Sequence, residues 1–258
     1  MQSVSLFDSL SNCLEKIKFI MYKLITYIKT LALLVLVGVL PAVHGAGQGP
    51  PLFPVHRTPD FFNGKDLSGW SGNDGYWSVE DGAIVGHADK DVPKNEFIWS
   101  NVEVGDFHLS VDVKLTADNR NAGIQFRSKP VNDHGQALGY QADVGLGVWG
   151  KLYHEHGRGK LDWNDRAKAV IKQGDWNRYE ILAVGDRIWT SINGTLCVAL
   201  KDPIGERLGK IAFQIHSGNP QTVFYRNPVL THNPKVVLVG MNEAELNKQL
   251  VSPLDQSE

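Results

Sequence analysis

The chain has 258 residues, 42% of them hydrophobic and 21% charged, with a formal net charge of −2. That length supports one substantial core and, once a leader is set aside, is short for two ordinary domains. A near-neutral balance without any basic run excludes a nucleic-acid-binding surface, which needs Lys and Arg gathered on one face.

The first 45 residues read as a leader. Leu31 to Leu40 is apolar except for Gly38, Lys23 and Lys29 precede it, and Val43 and Gly45 follow, the layout of a secretory signal cleaved before Ala46. Translation from Met21 keeps this leader within the usual ~15–30 residues. The apolar run falls short of the ~18–20 residues of a spanning helix, so the expected product is exported, periplasmic or secreted, without stable membrane insertion. No Cys follows the run at the cleavage point, which leaves a lipid anchor without its acceptor thiol. Residues 1–45 carry four Lys against Asp8 and Glu15, so processing takes the net charge from −2 to −4. Of the two cysteines, Cys13 lies in the leader and Cys197 beyond it, so the mature chain is expected to form no internal disulfide.

Residues 61–230 are a succession of short β-type runs separated by Gly, Asn and Asp, with no long stretch of helical period. Strands are expected around 77–79, 83–85, 97–99, 107–115, 122–127 and 140–144, then 151–155, 179–184, 188–192, 196–200, 210–216 and 222–225. Glu80-Asp81-Gly82 joins the first pair. Asn193-Gly194 marks a type I′ hairpin, because both residues accept φ > 0; the turn accounts for them better than the glycosylation sequon that Thr195 completes. So many strands must close into a barrel or stack as two sheets, and no repeated period points to a propeller. The fold class expected is an all-β, antiparallel two-sheet sandwich. Its organisation is a leader over 1–45, a linker over 46–59, one β domain over 60–232 and a C-terminal extension over 233–258 with a short helix within 242–250.

In a half-buried strand, residues two apart share a face, so the polar residues opposite the core can be read from alternation. Gln125 and Arg127 alternate with Ile124 and Phe126, and Gln141 and Asp143 with Tyr140, Ala142 and Val144. Tyr153 and Glu155 alternate with Leu152 and His154, and Gln214 and His216 with Phe213 and Ile215. These side chains have directed hydrogen-bonding geometry, unlike the Lys, Thr and Ser of a merely solvated face. Converging in one sheet, they would form a concave polar site for a polyhydroxylated ligand. Trp149 and Trp163 flank the Tyr153 strand and supply either stacking surface or core. Arg158, with Gly157 and Gly159 on either side, adds a charge where that strand ends.

Metal chemistry is less well marked. His154 and His156 cannot both face the same way as Glu155, and no His/Cys spacing matches a zinc site. Asp143 and Glu155 leave room for a divalent cation without specifying one, and no other cofactor is indicated. There is no serine nucleophile elbow, phosphate loop or dinucleotide fingerprint.

The run Phe62-Asn63-Gly64-Lys65-Asp66-Leu67-Ser68-Gly69-Trp70, followed by Trp77-Ser78-Val79-Glu80-Asp81-Gly82, resembles the opening of the 3-keto-disaccharide hydrolase domain family. Asn121 to Ser128, Gly139 to Asp143, Gly174 to Tyr179, Ile192-Asn193-Gly194 and Phe213 to His216 resemble its later blocks in order, with Ala122 where the family often has Ser. The resemblance implies a concanavalin A-like jelly roll acting on glycosides oxidised to a ketone at C3. The Glu-x-Asp-x-Glu strand of the glucanases that share this fold is absent, which disfavours direct two-carboxylate hydrolysis. A C3 ketone acidifies the C2 proton, so the implied route is deprotonation, elimination of the C1 substituent and hydration of the enone. Glu155 or His216 would be the base, Arg127 with Gln141 or Gln214 would polarise the ketone, and Tyr153 or His156 would stand near the leaving group. A non-catalytic lectin-like module would use the same face only to hold a glycan, and a structural surface protein would not need the directed polar pairs at all.

Overall fold

The computed structural model describes residues 56–57, 61–116, 120–131 and 136–254. The proposed leader lies outside these residues. Among them, no helix is long and apolar enough to cross a membrane.

The described chain is built almost wholly of strands. In chain order they are β1 (His56–Arg57), β2 (Trp70–Ser71), β3 (Trp77–Glu80), β4 (Ala83–Ala88), β5 (Glu96–Val104) and β6 (Phe107–Leu115). Then follow β7 (Asn121–Pro130), β8 (Ala137–Gly145), β9 (Leu152–Glu155), β10 (Gly159–Asp162), β11 (Asn177–Val184) and β12 (Arg187–Ile192). The last are β13 (Thr195–Lys201), β14 (Gly209–Ile215), β15 (Gln221–His232), β16 (Val237–Leu238) and β17 (Met241–Asn242), with helix α1 at Glu243–Asn247. One large sheet runs β13-β12-β11-β6-β15-β4-β3, with β1 beside β15, and the other runs β10-β9-β8-β7-β14-β5-β2. Neighbours within each are antiparallel, so the expected sandwich is what forms.

The turns obey the chemistry of their residues. Asn193 and Gly194 both take positive φ, 48° and 81°, as a type I′ hairpin requires. The Asn193 amide also donates to Val170 O and Asn177 Oδ1, which ties the turn to the loop before β11. Helix α1 begins with a capping box, Asn242 accepting from Glu245 N while the Glu245 carboxylate accepts from Asn242 N.

The core lies between the two sheets. Phe213 of β14 stacks on Tyr225 of β15 with centroids 4.1 Å apart, and Trp70 stacks on Phe213 at 4.9 Å. Each fully buried aromatic of this kind is worth about 1.5–3 kcal/mol of transfer free energy. The Tyr225 hydroxyl lies 3.0 Å from Gln214 O and 3.1 Å from Gly123 O, so the core of one sheet pins the backbone of the other directly beneath its polar face. A second cluster, Leu182, Trp189, Ala199, Leu238 and Leu246, packs the C-terminal segment on the far side of the β11–β13 edge.

Candidate functional site

Alternation and register together place one polar set on the outer face of the β10–β2 sheet. Gln125 pairs with Gln141 across β7 and β8, Gln141 with Tyr153 on β9, and Gly139 with Glu155. On the other side Gln214 of β14 stands opposite Gly123, which in turn faces Asp143. Gly123 is required there because a Cβ would come within 2.7 Å of the Gln141 side chain lying across it.

The amides form one oriented chain. The Ser128 hydroxyl donates to Gln125 Oε1 at 2.9 Å, Gln125 Nε2 to Gln141 Oε1 at 2.6 Å, and Gln141 Nε2 to Asp143 Oδ1 at 2.6 Å. Each amide accepts at one end and donates at the other, so the chain ends as a donor on the carboxyl group. Gln214 is fully buried, yet neither its Oε1 nor its Nε2 has a hydrogen-bond partner among the described residues. Such a group carries a full desolvation cost, which is unusual in a native interior and marks a place where a ligand's polar atoms would be welcome.

The face is covered. Ala137, at the start of β8, packs with Phe97, Trp99 and Ala212, although β7 and β14 separate β8 from β5. The end of the β7–β8 hairpin must therefore fold over the sheet, and the register breaks where it bends, between Phe126 and Lys129. Arg127 has φ 46° and Gly139 φ 137°, and a Cβ on Gly139 would strike Ser128. Gln125, Gln141, Asp143 and Gln214 are consequently exposed by 0%, 3%, 4% and 0%. Tyr153, Glu155 and Trp163 stay partly exposed, so solvent reaches the site from the β9–β10 edge.

Three expected contributors lie elsewhere. Arg127 does not join Gln125 on the face: the bulge reverses its side chain, which is buried and donates to the carbonyls of Gly105, Gly185 and Glu206 and to Asp106. Arg158 forms a two-pronged pair with Asp202, at 2.9 and 2.6 Å, on the Tyr140 side of the sheet. Trp149 belongs to the main core. Arg127 corrects the alternation reading, which assumes an unbroken strand; Arg158 corrects the expectation drawn from its flanking glycines; and Trp149 takes the core place that was one of its two expected fates. Trp163, by contrast, sits edge-on to Tyr153 at 6.1 Å, with Lys151 and Lys160 over its ring.

Of the two histidines, His156 lies on the Glu155 side and His216 follows the end of β14. His156 Nδ1 donates to Ala137 O at 2.8 Å and lies 3.7 Å from Glu155 Oε1. His216 Nδ1 donates to Ser217 O at 2.7 Å. Burial pushes the Asp143 carboxyl up to about 7; the Glu155 charge adds to this, while the Gln141 hydrogen bond and the Lys151 charge oppose it. A carboxyl titrating there is poised to take or give a proton at neutral pH.

The profile of the 3-keto-alpha-glucoside-1,2-lyase-like domain matches residues 58–231, which include every residue of this face. The chain belongs to that family. Among solved structures, a candidate glycosyl hydrolase from Parabacteroides distasonis aligns at 22% identity with a TM-score of 0.50, covering 67% of this chain and 92% of that one. A second from the same organism aligns at 19% identity and TM-score 0.48, covering 68% and 98%. The carbohydrate-binding module CBM66 from Bacillus subtilis aligns at 17% and 0.47, covering 64% and 95%. The first of these agrees with the sandwich fold. No curated protein matches the chain.

Among the described residues of this lyase-like domain, no three His, Cys, Asp or Glu side chains are grouped to hold a metal ion. Sequence reasoning passed over Lys151, Ser128 and Asn95. Lys151 shares the parity of Tyr153 and Glu155 and could have been found from alternation. Ser128 reaches the face only through the bulge, and Asn95 enters from a loop with no periodic signal.

Proposed function

We propose that this face is the active site of an exported enzyme that cleaves 3-keto-glycosides by removing the C2 proton, eliminating the C1 substituent and hydrating the resulting enone. One observation carries the reading: a buried carboxyl near pKa 7 at the end of a donor chain, beside a buried amide with no partner among the described residues. Asp143 takes the C2 proton, which moves the base role from Glu155 or His216 to the residue whose environment suits it. The C2–H electrons become the C1–C2 double bond as the C1–O bond breaks. Gln214 Nε2 donates to the ketone oxygen as negative charge gathers there, a role that Arg127 is placed too far round the sheet to fill. Tyr153 or His156, at the open edge, protonates the departing oxygen, and Trp163 offers the leaving group an apolar wall. Export follows from the leader layout of residues 1–45.

Incubating the protein with a 3-keto-glucoside bearing a chromogenic aglycone tests this. Catalytic release over many equivalents supports it; saturable binding without product identifies a carbohydrate-binding module instead. Glu155→Gln should retain binding and lose about two- to fivefold in kcat, because the Glu155 charge helps set the proton affinity of Asp143.

A further inference from the structure

We propose that Asn95 is the positioning residue of this site: its side chain holds the Glu155 carboxylate on the face that Asp143 shares, and its main chain ties the folded hairpin over that face. The inference rests on this same face serving the proposed elimination.

Asn95 immediately precedes β5 and shares the parity of Phe97 and Trp99, so it points to the face. Its Oδ1 accepts from Ser217 N at 2.9 Å. A carboxamide oxygen only accepts and its nitrogen only donates, so this bond commits Nδ2 to the other side, where it donates to Glu155 Oε1 at 3.2 Å. The Asn95 carbonyl accepts from Gln136 Nε2, in the returning limb of the hairpin. One residue thus joins the exit of β14, the end of β9 and the cover of the site, three segments far apart in sequence.

Among the described residues, few other groups hold Glu155. His156 Nδ1 stands 3.7 Å from Oε1, beyond a hydrogen bond, and is already committed to Ala137 O. Asp143 on β8 faces Glu155 with the same sign of charge, and Lys151 ahead of β9 faces Asp143 while pairing with Asp165 at 2.9 Å. Without Asn95, repulsion from Asp143 and the open edge would both draw the Glu155 carboxylate outward into water. The proton affinity of Asp143 would then lose one of its supports.

The test is a carboxyl carbon NMR titration of Asp143 in the unliganded full chain, for wild type, Asn95→Ala, Asn95→Asp and Gln136→Ala. Asn95→Ala frees Glu155 and should lower the Asp143 midpoint by about 0.5–1 unit. Asn95→Asp keeps the Ser217 acceptor but replaces the donor to Glu155 by a charge that repels it, and should lower the midpoint as Asn95→Ala does. Gln136→Ala loosens the hairpin that keeps water from Asp143 and should lower the midpoint even with Glu155 replaced by Gln, whereas Asn95→Ala on Glu155→Gln should add no further shift. With a 3-keto-glucoside, Asn95→Ala should lose about two- to fivefold in kcat/KM, its acid limb moving down with the titration. Midpoints that stay put in both Asn95 variants, or an Asn95→Ala shift undiminished on Glu155→Gln, overturn the proposal. The titration needs no substrate, so failure of the elimination reading shows separately, as absent turnover by the wild-type protein.

Discussion

Replacing Asp143 by Asn puts the burial argument to its hardest test, because it should make the protein more stable and inactive at once. The side chain keeps its shape and an oxygen to accept from Gln141 Nε2, but loses its charge. Folding lifts the Asp143 carboxyl from 3.8 to about 7. At 1.36 kcal/mol per unit, ionising it in the folded state costs about 4 kcal/mol, an upper bound because water entering the site would relieve part of it. The sign follows from proton binding. Below pH 3.8 both states hold the proton and no stability is lost; as pH rises to about 7 the unfolded chain releases it while the folded chain does not, and folding stability falls. The amide of the variant has no proton to release and escapes this loss. For a domain of this size 1 kcal/mol moves Tm by about 2–4 °C, so Asp143→Asn should melt roughly 10 °C above wild type at pH 9 and together with it near pH 3.5. Turnover at pH 7 and above should fall by about 100-fold or more, the loss expected for a missing general base, with the gap narrowing in acid as the wild-type carboxyl takes up its proton. Calorimetry from pH 3.5 to 9 decides it: equal melting temperatures at pH 9, or a gap that does not close at low pH, would refute the account of Asp143.

Three other substitutions separate the roles of neighbouring residues. Gln214→Leu removes a buried amide that has no partner among the described residues, so the urea midpoint should rise, by about 1–3 kcal/mol in free energy, while kcat drops; a lower midpoint would mean that the amide is bonded after all. Arg127→Ala strands the carbonyls of Gly105, Gly185 and Glu206 and should cost about 3–5 kcal/mol in denaturant unfolding, with kcat per folded molecule unchanged within about twofold. Trp163→Ala should raise KM for aromatic or disaccharide leaving groups several-fold and leave kcat nearly intact; an equal fall in kcat would place Trp163 in the chemistry itself.

The folding-over of the β7–β8 hairpin explains how close the sequence comes to this site and where it stops. Alternation within one strand follows from the pleat, so Gln125, Gln141, Asp143, Tyr153 and Glu155 could be assigned to one face before any strand order was known. The same pleat misplaced Arg127, because a bulge adds a residue and exchanges the two faces from that point onward. Trp149 and Trp163 have similar Gly-containing surroundings in sequence; one enters the core and the other borders the opening, and only packing separates them.

The class of fold, the hairpin at Asn193-Gly194, the family and most of the polar face could all be read from the chain alone, because they depend on local periodicity, turn chemistry or the order of short motifs. That the face is covered rather than an open surface emerged only from the packed molecule. So did the finding that burial raises the affinity of Asp143 for a proton. Burial and charge proximity are properties of segments brought together from distant parts of the chain, and the residue that fastens them, Asn95, lies in a loop where no period exists to announce it.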